Sequence, residues 1–123
     1  MYHVLAICSG ASLGALLRWQ LGVWLNASGH LAWGTLLANA IGGYGIGLAI
    51  AWLDSLPQLD PAWRLAIITG FLGALTTFSS FSAEVVELLQ AQRWGSALGW
   101  VAANLIASLS LTAAGLYTLH ALR

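Results

Sequence analysis

Apolar runs of about twenty residues, each closed by a short polar cluster, recur along the chain, and that period predicts helices long enough to cross a bilayer. The first runs from Val4 to Leu25 and ends at Asn26-Ala27-Ser28-Gly29-His30. The second runs from Ala32 to Leu53 and is bounded by Asp54-Ser55-Leu56-Pro57, with Pro61 opening the next element where its missing N–H does no harm. The third covers Ala62 to Leu89 and stops at Gln90-Ala91-Gln92-Arg93; the fourth covers Gly95 to Leu119. No linker or low-complexity stretch separates them. The pattern predicts one domain, an all-α integral membrane bundle with four transmembrane helices.

Composition agrees. Of 123 residues, 59% are hydrophobic and 7% charged, against about a quarter charged in a soluble domain. A mean hydropathy of +0.82 with seven Trp fits a helical membrane protein, since an indole keeps its N–H wet at the interface. Net charge is zero, from four Arg and no Lys against two Asp and two Glu, so nucleic acid finds no basic patch. The lone Cys8 sits in an apolar run and reads as a buried thiol. The first segment lacks a basic start and carries Arg18, which argues against a cleaved signal peptide. The short sequon Asn26-Ala27-Ser28 carries no weight.

The arginines divide evenly. With the N-terminus cytoplasmic, Arg64 and Arg123 lie inside and Arg18 and Arg93 outside, so the basic bias that orients membrane proteins is missing. Either weaker cues set one orientation, or both orientations insert and pair as an antiparallel dimer; the even division favours the second. Four short helices also leave no spare interior for a water-filled path, which points to surfaces between subunits. Gly10 with Gly14, and Gly43 with Gly47, have the small-xxx-small spacing of close helix contacts.

Catalytic chemistry finds no foothold. His3, His30 and His120 fall near segment ends without a Cys or carboxylate at ligand spacing, and the serines lack a base at membrane depth, so an enzyme is not expected. Instead, Gly70-Phe71-Leu72-Gly73-Ala74-Leu75-Thr76-Thr77-Phe78-Ser79-Ser80-Phe81-Ser82 interrupts the middle of the third span with residues that loosen a helix or compete for its hydrogen bonds. A break is expected near Gly73 to Thr77, where freed carbonyls could ligate a cation; the alternative is a continuous helix with hydroxyls bonded back to carbonyls. Phe78 and Phe81 share a face, a spacing that by itself fits core or lipid contact. Thr35 and Asn39 lie one turn apart on the second helix, and Asn104, Ser108 and Thr112 form a polar stripe on the fourth. Uncharged donors beside electropositive ring edges could pass a small desolvated anion.

These motifs resemble one family. Gly10-x3-Gly14-x3-Arg18-Trp19, Gly34-Thr35-Leu36-x2-Asn39-x2-Gly42, Gly70-Phe71-x-Gly73-x2-Thr76-Thr77-Phe78-Ser79-x-Phe81-Ser82-x-Glu84 and Asn104-x3-Ser108 are similar, in order, to the CrcB/Fluc fluoride channels of bacteria. The resemblance implies a passive fluoride channel of the bacterial cytoplasmic (inner) membrane, built as an antiparallel dual-topology homodimer with two pores. It implies that Phe78 and Phe81 turn ring edges to fluoride, that Asn39 lines the pore, and that Ser108 with Asn104 lies on a polar track. Thr35 and Ser79 join that pathway. The backbone carbonyls of Gly73 and Thr76 match a structural Na⁺ site at the dimer centre, two from each subunit. Ala74 and Ser80 stand where members often have Gly and Thr. Some members place an aromatic hydroxyl on the fourth helix; Trp100 is the nearest counterpart here.

Arg18 lies in hydrocarbon or snorkels to its edge, and the resemblance implies that it holds the entrance region and lends positive potential to a vestibule. Glu84 is expected to be structural or gating, because an acid beside an anion path repels the ion. The competing reading is a proton-coupled small multidrug-type exporter, which needs a membrane carboxylate; the first helix has none and Glu84 is the candidate.

Overall fold

The computed structural model describes residues 1–27, 29 and 31–123. The expectations for Ser28 in the sequon and for His30 lie outside the described residues. Helix α1 spans Tyr2–Leu25 and α2 spans Trp33–Asp54. The third span starts with α3 (Pro61–Arg64), continues through a π-helical stretch (Leu65–Leu72) into α4 (Gly73–Leu75), and resumes as α5 (Phe78–Gln90). Helix α6 covers Trp94–Ala121. Four helical segments are long and apolar enough to span a membrane, and no strand occurs among the described residues.

Local chemistry sets the ends. Asn26 Oδ1 accepts the Gly34 amide at 2.8 Å, so the residue closing α1 also satisfies an orphan donor in the first turn of α2. Asp60 caps α3 by accepting the Ala62 amide at 2.8 Å, one residue before Pro61. The turn into α6 is a Schellman closure: Arg93 N–H reaches the Leu88 carbonyl at 2.9 Å and Gln92 N–H the Leu89 carbonyl at 3.0 Å. Gln92 adopts the required left-handed φ of 58° without being glycine. Arg64 and Asp54 pair across the loop between the second and third spans.

Two close helix contacts hold the bundle. In α1, a Cβ on Gly14 would strike the Phe71 carbonyl and stand 3.0 Å from the Leu75 amide. In α2, a Cβ on Gly47 would strike the Thr112 carbonyl and stand 2.8 Å from the Leu116 amide. Backbone therefore lies directly on backbone, which is how membrane helices gain dispersion energy without a hydrophobic drive between them. One buried cluster joins Leu21, Ala38, Leu72 and Leu75; another joins Phe81, Leu88, Ala97 and Trp100. Large apolar side chains remain bare, among them Leu98, Ile106 and Leu109 on α6, as lipid-facing or subunit-facing surfaces require. Cys8 is exposed rather than buried, because its side of α1 is not covered by another helix of the chain.

The chain is helical at Gly73 (φ −62°, ψ −33°) and through Leu75, then extended at Thr76 (φ −81°, ψ 152°) and Thr77 (φ −150°, ψ 118°). Glycine is not where the backbone opens: Gly70 sits in the π stretch, pressed against α1, where its Cβ would stand 2.6 Å from the Ile7 carbonyl. Leu75, with no exposed surface, anchors the last helical residue before the extended pair.

Candidate functional site

Helical bonding in the third span ends at Thr76, whose amide and hydroxyl both donate to the Leu72 carbonyl, at 3.0 and 2.9 Å. Two of the next four amides go to side chains. Thr77 N–H donates to Asn39 Oδ1 at 2.7 Å, and Ser80 N–H donates to Thr77 Oγ1 at 3.1 Å, which makes Thr77 the N-cap of α5. In an uninterrupted α-helix these amides would serve the carbonyls of Gly73 and Thr76. Both carbonyls are thereby released as uncharged, hard oxygen donors, a set that suits a hard cation rather than a soft one.

Asn39 holds the extended residue by both ends. Its amide accepts from Thr77 N–H and donates to the Thr77 carbonyl at 3.1 Å, while Nδ2 also reaches Asn104 Oδ1 at 3.4 Å. Both amide hydrogens of Asn39 are thus engaged within the protein. Asn104 is 3% exposed and donates in turn to the Trp100 carbonyl at 3.0 Å. Three spans therefore meet at Thr77 through side-chain amides, the groups that can replace helical bonds at membrane depth.

A cleft of about 360 Å³ gathers Asn39, Gly73, Thr76, Phe78, Phe81, Asn104 and Ser108. Its two phenyl rings stand edge-on, 5.5 Å apart at 64°. They differ sharply in burial: Phe81 is 7% exposed and Phe78 is 75% exposed, so one ring belongs to the core and the other to an open flank. Among the described residues, no charged side chain lines this cleft.

The remaining expected residues are elsewhere. Arg18, Thr35 and Glu84 line a second cleft of about 720 Å³ together with Ser80. Ser79 lines neither; its hydroxyl lies 3.3 Å from Thr77 Oγ1. Arg18 Nε–H donates to the Ala74 carbonyl at 3.0 Å. Both Glu84 carboxylate oxygens and Trp100 Nε1 are buried without a hydrogen-bond partner among the described residues. Trp100 is 3% exposed and packs edge-on against Trp33, at 5.4 Å.

Residue-by-residue reading of the sequence passed over Thr77 as an organiser. Its signal is visible in hindsight: a threonine immediately before a helical run is an N-cap candidate.

The family model described as CrcB-like protein, Camphor Resistance (CrcB), matches residues 5–116. The chain belongs to this family. Proteins of the CrcB family similar to it include one from Albidiferax ferrireducens named fluoride-specific ion channel FluC, 61% identical over 118 residues that cover 96% of this chain and 91% of that one. A protein of the same name from Variovorax paradoxus is 60% identical over 97% of this chain and 95% of its own. Another from Pseudomonas aeruginosa is 55% identical over 95% and 93%. Together with its apolar segments, membership of the CrcB family makes the chain a multi-pass membrane protein.

Proposed function

We propose that this chain forms a fluoride-selective channel that lets fluoride leave the cytoplasm passively across the bacterial inner membrane and so lowers fluoride toxicity. The observation that carries the reading is the single cleft in which phenyl rings, amides and a hydroxyl converge without a fixed charge. The shared name of the relatives supports it. Ring edges offer the positive side of the aromatic quadrupole, and the Ser108 hydroxyl with the Asn104 amide hydrogen not given to Trp100 replaces part of the hydration shell. With no basic side chain among the described residues lining the cleft, no ion pair forms with the anion and it is held weakly enough to leave, as conduction requires.

The working unit is an antiparallel dual-topology homodimer. The even division of arginines favours it, and so does the flank carrying Phe78, which would leave a pathway half walled in one copy. At the dimer centre the released carbonyls of Gly73 and Thr76, from both copies, hold a structural Na⁺. That ion supplies a positive charge that does not titrate. The third span is functionally a broken helix: its extended pair exists to free those carbonyls and to aim α5, with Phe78 in its first turn, into the pathway.

Liposomes loaded with fluoride test the function. Purified protein should give rapid, electrogenic fluoride efflux that chloride does not match. Equal chloride flux would remove the selectivity, and slow flux tied to a proton gradient, or pH-driven export of a cationic dye, would favour the exporter with Glu84 as its carboxylate. Efflux indifferent to complete replacement of Na⁺ would remove the metal.

Orientation has its own test. Several Lys added to the loop between Leu56 and Asp60 should trap one orientation and abolish fluoride resistance unless a copy trapped the other way is co-expressed. Full activity from one trapped orientation would overturn dual topology.

A further inference from the structure

Extension at Thr76 and Thr77 also strands the Ala74 carbonyl. In a continuous helix Ala74 would accept the Phe78 amide, but Phe78 begins α5 and makes no backbone bond to Ala74. A bare carbonyl at membrane depth is strongly destabilising. Here its partner comes from another helix: Arg18 Nε–H, from α1, donates to it at 3.0 Å in a half-buried setting.

The nitrogen used is informative. Nε is the guanidinium nitrogen nearest the backbone, so the contact draws on the stem of the side chain. Arg18 does not line the cleft that holds Phe78 and Phe81; it lines the second one, with Thr35, Ser80 and Glu84. It forms no ion pair with Glu84, the one ion pair among the described residues being Arg64 with Asp54. With Asn39 holding Thr77 from α2, Arg18 secures the other side of the opening from α1.

We infer that Arg18 is a positioning residue: its Nε–H, not its charge, holds the Ala74 carbonyl and fixes the point at which the third span opens. Without that bond the stranded carbonyl recovers a partner by re-forming helix through Thr77, and the carbonyls of Gly73 and Thr76 return to helical bonds. The flux readout rests on the proposed channel activity; the spectroscopic readout does not.

Three substitutions separate bond from charge. Arg18→Gln sets an amide nitrogen the same number of bonds from Cα as Arg Nε, with a donor and no charge. Arg18→Lys keeps the charge but sets a methylene there, and Arg18→Met keeps neither. Fluoride efflux should stay within about threefold of wild type for Arg18→Gln and fall by at least about tenfold for the other two, the factor expected when a buried carbonyl loses its donor. Activity in Arg18→Lys with none in Arg18→Gln would overturn the inference in favour of charge. Undiminished activity in all three would overturn it outright.

If all three are inactive, wild-type geometry decides. Solid-state NMR of protein labelled with ¹⁵N-arginine and ¹³C-carbonyl alanine should show an Arg Nε within about 4 Å of an alanine carbonyl carbon, the separation such a bond dictates. An Arg123→Lys background removes the other arginine that contacts an alanine carbonyl, that of Ala51. Absence of the contact overturns the inference. Wild-type protein that shows the contact but conducts no fluoride would sink the channel reading alone.

Discussion

Phe78→Ala should reduce fluoride efflux by more than about 100-fold, equivalent to roughly 2.7 kcal/mol of added barrier, while leaving the protomer folded. The ring is 75% exposed in the single chain, so truncation opens no cavity in the protomer core. What it removes is one of the two ring edges beside the amides of the cleft. Phe78→Leu is the companion variant, because it restores apolar volume without an electropositive edge. If Phe78→Leu conducts like the parent, volume rather than the ring edge is what matters, and the phenyl mechanism is gone. Phe81→Ala alone is less informative: the side chain is 7% exposed in the cluster with Leu88 and Trp100, and its loss would cost about 3–5 kcal/mol whatever its role in conduction. The double variant should be silent yet dimeric by crosslinking, and conductance in it would remove both rings from the mechanism.

The largest structural effect is expected at Gly14. Its Cβ position overlaps the Phe71 carbonyl and presses on the Leu75 amide, and both obstacles are backbone that no rotamer change can move. Gly14→Val should cost at least about 3 kcal/mol, the upper end for overpacking, because α1 must lift away from the segment that carries the extended pair. The variant should aggregate or fail to survive purification. Gly99→Ala provides the contrast. A Cβ there meets nothing within 4 Å in the protomer, so the substitution should raise protomer stability by about 0.5–1 kcal/mol through helix propensity. Thermal unfolding in detergent, followed by the fluorescence of the seven Trp, compares the two. Similar midpoints for both variants would mean that α1 does not need its close approach.

The two predictions differ in how far they were legible. The Gly10-x3-Gly14 spacing announced a close helix contact, but not which helix would lie on it; the π-helical stretch that meets α1 has no signature of its own, since Thr69 and Gly70 weaken a helix without specifying i→i+5 bonding. Likewise the run of Gly, Thr and Ser between Gly70 and Ser82 marked disturbed backbone. The glycines suggested the opening; Gly70 serves packing instead, and the threonines make the turn, because Thr77 can cap a helix with its own hydroxyl whereas glycine offers only freedom.

The hydrophobic period, the scarcity of charge and the ordered motifs determined, by themselves, a four-span helical membrane protein of the CrcB family. They did so because a bilayer leaves little choice: twenty apolar residues without water must satisfy their backbone as helix. Only the tertiary structure decided which backbone groups the polar side chains bond to. Asn39 and Arg18 look alike as membrane-buried donors in sequence, yet both spend hydrogens on carbonyls of the third span, at Thr77 and Ala74. A donor's target depends on which carbonyls another helix leaves unbonded, and that exists only once the spans are packed together.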